Sequence, residues 1–187
     1  MSFPGPSKEI IVEEGLILIM LRKESAFVIF KTVDQNRRYL RKWLPFVDNT
    51  WKVEDTEAFI NSIHEASFPK RDIVYEIWYQ GNFVGLIALK EVDLWNKRTE
   101  LGYWLDPGFE GRGIMSKCCT VMLNQAFNKM GMHRVQIKTG IGNARSARIP
   151  EKLGFKFEGI ERAGEKSFDH FIDLEVYSLL REEWKKE

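Results

Sequence analysis

Residues that bind metals or form disulfide bonds are scarce in this sequence. Its 187 residues include two cysteines and three histidines. Cys118 and Cys119 are adjacent, and neighbouring side chains on a helix diverge, so the pair suits neither a structural disulfide nor a chelate. His64, His133 and His170 are widely separated and lack metal-ligand spacing. We therefore predict two buried thiols in a reducing compartment and no metal site.

An excess of charge and long apolar runs are lacking as well. Twenty-eight basic and twenty-seven acidic side chains leave a net charge of +1, so no global field attracts nucleic acid or an anionic membrane. No apolar run approaches the roughly 20 residues that span a bilayer, and no signal pattern opens the chain. The sequence predicts a cytoplasmic protein with neither nucleic acid nor membrane as a partner. Its length suits one domain over residues 1–187.

Alternating and helical patterns of apolar residues are abundant, and they predict the order of the elements. Strands are expected at residues 9–12, 16–21, 73–79, 83–89, 98–105, 134–139, 155–157 and 168–180. Helices are expected at residues 24–44, 53–66, 113–130 and 143–153. This order predicts an α/β (α+β) fold in which helices cover a mixed sheet.

A glycine-containing loop joins the expected strand at residues 98–105 to the expected helix at residues 113–130. Gly111 and Gly113 flank Arg112 there, directly before an amphipathic stretch. Unpaired backbone N–H groups and the helix dipole favour phosphate oxygens at such a place, and glycines let the anion approach closely. Two glycines before a helix are also typical of a tight turn with a glycine cap, so the loop alone leaves both interpretations open.

Several further stretches share their pattern with one enzyme family. Together with the loop, they make the sequence resemble the GNAT acetyltransferases, and within them the branch of Rim-type ribosomal-protein N-terminal acetyltransferases. The resemblance runs over nearly the whole chain. The stretches that carry it are WLPFVD at residues 43–48, ELGYWL at 100–105, GRGIM at 111–115, GNARS at 142–146 and PEKLGF at 150–155.

The resemblance implies a seven-stranded, mostly antiparallel sheet that splays open in the middle, flanked by about four helices, with the co-substrate acetyl-coenzyme A in the gap. The residues implied to bind it are Trp104, Leu105, Gly111, Arg112, Gly113, Ile114, Met115 and Asn143. One residue departs from the family pattern, because Glu110 stands where Gln or Arg is usual. A carboxylate repels a diphosphate, so we expect Glu110 to turn away from it.

Glu100 and Ser146 are the expected catalytic residues. Strand alternation places Glu100 on the same face as Gly102 and Trp104. A buried carboxylate would be a competent base there, although an ion-paired structural glutamate fits the same position. Many family members use a tyrosine to protonate the thiolate, and Pro150 occupies that place here. The resemblance therefore assigns the leaving group to Ser146, as a hydrogen-bond donor.

The sequence gives the fewest indications about the residues that bind the acceptor. Aromatic residues surround an acid at residues 43–51, which makes Trp43 and Asp48 candidates for substrate binding, although a packed loop would look the same. The predicted function is acetyl transfer to a primary amine, and the leading candidate for that amine is a protein N-terminal α-amine. A small-molecule amine acetyltransferase and a non-catalytic coenzyme A-binding module are the alternatives, and a homodimer is a family-level expectation.

Overall fold

The computed structural model describes residues 7–66 and 72–184, and these form one eight-stranded sheet. The strands are β1 (Glu9–Glu13), β2 (Leu16–Met20), β3 (Ile73–Tyr79), β4 (Asn82–Asp93), β5 (Arg98–Leu105), β6 (Arg134–Gly140), β7 (Lys156–Ser167) and β8 (His170–Leu180). Their order across the sheet is β1-β2-β3-β4-β5-β6-β8-β7. Neighbouring strands are antiparallel except β5 and β6, which run parallel.

Five α-helices cover the two faces of the sheet in the described part of the chain. They are α1 (Ala26–Gln35), α2 (Arg37–Leu40), α3 (Val53–Glu65), α4 (Ile114–Asn124) and α5 (Ala144–Leu153). Helices α1 and α3 pack on one face, over a core that includes Ile29, Val33 and Ile60. Helices α4 and α5 pack on the other face, where Met122 and Phe127 are fully buried. The sheet thus separates two apolar cores. None of the described helices is both long enough and apolar enough to cross a membrane.

The sheet opens between its two central strands. The pairing of β5 with β6 covers three positions, from Arg98 opposite Arg134 to Glu100 opposite Gln136. Beyond Glu100, β5 continues to Leu105 beside β4, and β6 continues beside β8. The separation leaves a gap that connects one face of the sheet with the other.

The fold class expected from the sequence is confirmed, and β3 and β5 have the expected bounds. The family count of seven strands is wrong for the described residues, because both strands of the β1–β2 hairpin join the sheet. The expected single helix over residues 24–44 is also wrong, since it is divided at Asn36. The Asn36 side chain donates to the Thr32 carbonyl at 3.0 Å, a local bond that competes with helix continuation. In the expected helix at residues 113–130, the α-helical part ends at Asn124 and continues as a short π-helix, Gln125–Lys129.

A buried carboxylate ties the segment after β2 to the sheet. Glu76 of β3 is fully buried, and it accepts hydrogen bonds from the Arg22 backbone N–H at 2.9 Å, Arg22 Nη2 at 2.6 Å and Trp78 Nε1 at 2.8 Å. The Arg22 guanidinium also lies 5.5 Å from the centre of the Trp78 ring. A buried charge is costly unless it is paired, so these bonds allow Glu76 to remain in the core.

Replacing Arg22 by methionine removes the cation that Glu76 needs, and we expect the free energy of unfolding to fall by about 2 kcal/mol. The loss is smaller than for a fully buried pair because the Arg22 side chain is 43% exposed. Urea titration measures the change. The matched control is Lys117→Met, which breaks an exposed pair with Glu13 and should cost at most about 0.5 kcal/mol. Equal losses in the two variants would contradict this account of Glu76.

Candidate active site

A cleft of about 620 Å³ lies at the end of β5, between the loop that follows it, the starts of α4 and α5, and the segment around α2. Most of the residues predicted from the sequence line it. They are Trp43, Trp104, Leu105, Gly111, Gly113, Ile114, Met115, Asn143 and Ser146. Of the predicted residues, all of which the structure describes, Glu100, Arg112 and Asp48 lie outside the lining.

The start of α4 offers backbone donors to this cleft. Gly113 is the N-cap of the helix with a φ of +76°, and Gly111 has a φ of +75°. Glycine adopts this left-handed conformation without strain. Within the described residues no side chain caps α4, so the first N–H groups of the helix are left without partners. Free donors at the positive end of a helix dipole suit the oxygens of a diphosphate.

Ser146 lies in the first turn of α5, next to β5. Asn143 is the N-cap of α5, and its Oδ1 accepts the Ser146 N–H at 3.2 Å. The Ser146 hydroxyl donates to the Tyr103 hydroxyl at 3.4 Å, and Tyr103 donates to the Ser146 carbonyl at 3.3 Å. Both Ser146 and Tyr103 line the cleft, so the serine hydroxyl can turn from Tyr103 and donate to a group bound there. Tyr103 was not predicted as a site residue, because it lies on β5 more than forty residues from Ser146.

Glu100 lies on the other face of β5, at the last position where β5 pairs with β6. The residue is 8% exposed. Its carboxylate lies 2.7 Å from Lys90 Nζ and 4.0 Å from Lys138 Nζ, and it accepts a hydrogen bond from Gln136 Nε2 at 3.3 Å. Glu100 is therefore a buried, ion-paired carboxylate at the mouth of the gap. Its role as a base stays a prediction.

Lys90 of β4 holds this carboxylate within a small charged network. Burial acts to lower the pKa of Lys90, but the carboxylates of Glu100, Glu165 and Asp72 outweigh it and leave that pKa raised. For the two acids the effect of burial has the opposite sign, and it raises the pKa of Glu165 and of Asp72. The stem of Lys90 also covers Gly102, where a Cβ atom would lie 2.8 Å from Lys90 Cε. The absence of a side chain at Gly102 thus lets Lys90 reach Glu100.

Comparison with known proteins settles the family. Residues 16–156 match the model of the acetyltransferase (GNAT) domain. The chain belongs to the GNAT acetyltransferases. It is 32% identical over 177 residues to the putative ribosomal N-acetyltransferase YdaF of Bacillus subtilis, with 94% of this chain and 97% of YdaF covered. It is 23% identical over 172 residues to the ribosomal-protein-serine acetyltransferase of Escherichia coli, with 90% and 94% covered.

A solved structure of RimL, a ribosomal alpha-N-protein acetyltransferase in complex with coenzyme A, has the same fold, with a TM-score of 0.86, 23% identity, and 94% of this chain and 99% of that chain covered. The acetyl donor of this GNAT acetyltransferase is acetyl-coenzyme A. The cleft fits that donor. The free N–H groups at the start of α4 suit its diphosphate, and the walls formed by Leu105 and Ile149 suit its pantetheine arm.

Three basic residues of α5 line the cleft of this GNAT acetyltransferase, and none of them was predicted. Arg145, Arg148 and Lys152 are three and four residues apart, so they share one side of the helix. That spacing was the available signal. Arg112, which the family resemblance placed on the diphosphate, instead lies 5.2 Å from the centre of the Phe109 ring and outside the lining. Its contact with the donor stays a prediction.

Glu110, the departure from the GNAT pattern, has partners on two other segments. Its carboxylate accepts the Tyr39 hydroxyl at 2.7 Å and forms an ion pair with Arg145. Burial raises the pKa of Tyr39, and the hydrogen bond to Glu110 raises it further. Glu110 therefore joins the loop before α4 to α2 and α5 across the cleft, and its charge is balanced by Arg145. Three distant segments meet here, so sequence spacing gave no sign of the contact.

Replacing Glu110 by glutamine removes a negative charge beside the cleft and releases Arg145 from its ion pair. We expect the dissociation constant for coenzyme A to fall by about fivefold, because both changes favour a bound diphosphate. Isothermal titration with coenzyme A measures it. Glu151→Gln, on α5 but outside the lining, is the matched control and should change binding by less than about twofold. Weaker binding in Glu110→Gln would contradict this expectation and would mean that the contacts of Glu110 with Tyr39 and Arg145 are needed to shape the cleft.

The two residues predicted for the acceptor have different surroundings. The Trp43 ring lies over Gly140 at the end of β6, where an added Cβ would be 3.5 Å from Trp43 Cε3. Trp43 therefore forms a wall where the gap meets the cleft. Asp48 is outside the lining, and its carboxylate lies 3.0 Å from Arg41 Nη2. Arg41 balances the charge on which the prediction relied, and the role of Asp48 in binding the acceptor stays a prediction.

Two thiols lie beneath the cleft on α4. Burial raises the pKa of Cys118 to about 12, and it raises the pKa of Cys119 well above its ordinary value. The thiolate is the nucleophilic form of cysteine. Neither thiol is therefore suited to carry an acetyl group.

Proposed function

We propose that this GNAT acetyltransferase transfers the acetyl group of acetyl-coenzyme A directly to the α-amine of a protein N-terminus. The observation that carries the proposal is the position of Glu100 and Ser146, which lie on opposite faces of β5 beside the gap in the sheet. An amine can approach from the Glu100 side while the sulfur departs on the Ser146 side. Direct transfer needs no residue of the enzyme to carry the acetyl group.

The proposed reaction forms a bond between the amine nitrogen and the acetyl carbon, and it breaks the bond between that carbon and sulfur. The nitrogen loses one proton and the sulfur gains one, so protons balance. Glu100 accepts the amine proton through a bridging water, and Ser146 stabilises the departing sulfur with a hydrogen bond. A serine hydroxyl is too weak an acid for full proton transfer, so solvent completes the protonation of the thiolate.

The choice of an α-amine follows from the ionisation of the acceptor. An α-amine has a pKa of about 8, whereas a lysine side chain has a pKa of about 10.4, so much more of the α-amine is neutral at pH 7. Less deprotonation by the base is therefore needed for an α-amine, and the proposed base is a carboxylate that pairs with Lys90. Two relatives, the putative ribosomal N-acetyltransferase YdaF and the ribosomal-protein-serine acetyltransferase of Escherichia coli, support a protein as the acceptor.

The test is incubation of the purified protein with isotope-labelled acetyl-coenzyme A and two sets of acceptors. One set is a library of peptides with free N-termini and blocked lysines, and the other is a panel of small amines that includes spermidine and amino acids. Mass spectrometry identifies the labelled products, and a thiol reagent follows release of coenzyme A. We expect label on the α-amine of a subset of peptides, with N-terminal serine among the best.

Label on small amines alone would contradict the proposed acceptor and favour the small-molecule alternative. Tight binding of coenzyme A without thiol release from any acceptor would contradict the enzymatic role of this chain and favour a binding module. A set of the same peptides with blocked α-amines and free lysines is the control. Labelling of that set at the same rate would show that the α-amine is not what is selected.

A further inference from the structure

The backbone carbonyl of Ser146 lacks its usual helical partner. A carbonyl in an α-helix accepts the N–H four residues later, and the residue in that position is Pro150, which has none. The carbonyl instead accepts the hydroxyl of Tyr103, which reaches it from β5 at 3.3 Å. A proline inside α5 thus leaves an acceptor free, and a tyrosine of the neighbouring strand uses it.

The same tyrosine hydroxyl also contacts the side chain of Ser146. It accepts the Ser146 Oγ hydrogen at 3.4 Å while its own hydrogen is directed to the Ser146 carbonyl. Asn143 holds the backbone N–H of Ser146 at 3.2 Å. The backbone N–H, the carbonyl and the hydroxyl of Ser146 are therefore each in contact with a neighbouring side chain. Such a set of contacts keeps the serine hydroxyl at the wall of the cleft.

The environment of Tyr103 keeps its hydroxyl protonated. Burial raises the pKa of Tyr103, and the nearby Cys119 thiol of α4 adds to the effect. Tyr177 of β8 is the other titratable group that raises it, while the contact with Ser146 acts in the opposite direction. A hydroxyl of this kind donates and accepts hydrogen bonds at neutral pH but does not release its proton.

We propose that Tyr103 is a positioning residue for acetyl transfer. Its hydroxyl, held by the carbonyl that Pro150 leaves free, keeps Ser146 Oγ at the wall of the cleft, and the single hydrogen of that Oγ turns from Tyr103 to the departing sulfur. The inference rests on the proposed function, and specifically on the role of Ser146 as donor to the sulfur. Tyr103 acts through Ser146, and the proton of Tyr103 stays on its oxygen throughout the reaction.

The test is a double-mutant cycle of Tyr103→Phe and Ser146→Ala, assayed as thiol release from acetyl-coenzyme A with an N-terminal serine peptide, and as basal thiol release without peptide. We expect Tyr103→Phe to lower kcat roughly tenfold, the effect of one lost hydrogen bond, with KM for acetyl-coenzyme A within about twofold of the parent value. In the Ser146→Ala background the same change should lower kcat by less than about twofold, because the two residues act as one unit.

Two controls separate positioning from a structural effect. Tyr177→Phe removes the hydroxyl of a neighbouring tyrosine that donates to Glu175 instead, and kcat should stay within about twofold of the parent. The loss in Tyr103→Phe should be the same factor from about pH 6 to about pH 9, because the hydroxyl does not titrate there. Thermal melting of each variant verifies folding.

Equal losses in both backgrounds, a loss confined to KM, or a loss that changes with pH would overturn the inference. A slow Ser146→Ala variant beside a fully active Tyr103→Phe variant would overturn this inference and leave the proposed function intact. A fully active Ser146→Ala variant would overturn this inference together with the proposed role of Ser146 as donor to the sulfur. Labelled peptide in the parent protein would still support acetyl transfer to an α-amine, so failure of the mechanism and failure of the proposed acceptor remain distinguishable.

Discussion

Replacing Ser146 by alanine will lower kcat by about 100-fold, and the dissociation constant for coenzyme A will stay within about twofold of the parent value. The size of the loss corresponds to removal of one donor directed at charge that develops in the transition state. Binding changes little because Asn143, the α4 N–H groups and the basic residues of α5 remain. Steady-state kinetics measure the first quantity, and titration calorimetry measures the second.

A serine elsewhere provides the control for that result. The hydroxyl of Ser62 in α3 donates to the carbonyl of Phe59 at 2.7 Å and lies outside the cleft lining. Ser62→Ala should leave kcat within about twofold of the parent value. If Ser146→Ala kept the parent kcat, the proposed stabilisation of sulfur would be wrong. If the variant lost affinity for coenzyme A instead of kcat, the serine would be a binding residue.

Replacing Glu100 by glutamine will lower kcat/KM by about 100-fold at pH 7, the lower end of what a positioned base contributes. The deficit should shrink above about pH 8, because a rising fraction of an α-amine is then neutral without help. Below that pH the acceptor is mostly protonated, and the loss of the base is felt in full. A pH series of kcat/KM for parent and variant, with one peptide acceptor, measures this dependence.

Because Glu100→Gln also leaves Lys90 without its closest partner, stability must be followed in the same samples by thermal melting. Glu161→Gln is the matched control, since Glu161 is a carboxylate of β7 that lies 2.7 Å from Lys138 Nζ. That variant should change kcat/KM by less than about threefold. A deficit in Glu100→Gln that is the same at pH 7 and pH 9 would identify Glu100 as a structural ion-pair residue rather than the base.

Elements whose signals are local could be predicted from the sequence. Strand β5 has the expected bounds because its alternation is uninterrupted, and the N-cap role of Asn143 follows from one residue and its position. The break at Asn36 was missed because apolar residues recur at mostly helical spacing on both sides of it, and only the bond to Thr32 reveals the competition. The helical spacing of apolar residues does not indicate such a bond.

Contacts between distant segments could not be predicted in this way. The ion pair of Glu100 with Lys90 depends on the register between β4 and β5, which includes an irregularity after Lys90. Tyr103 reaches Ser146 only because β5 and α5 pack together, so the consequence of the missing N–H at Pro150 becomes visible only in three dimensions. The family resemblance brought in Ser146, and the packing explains how that serine is held.

The measurement that tests the central claim most directly is a rapid-quench experiment in a single turnover. The parent protein, loaded with labelled acetyl-coenzyme A, is mixed with an N-terminal serine peptide, and intact mass spectrometry follows the enzyme and the peptide together. Direct transfer predicts that acetyl-peptide and free coenzyme A appear at the same rate, with no acetylated enzyme at any time. Acetylated enzyme that forms before the acetyl-peptide and then decays, or thiol release without acetyl-peptide, would contradict the account.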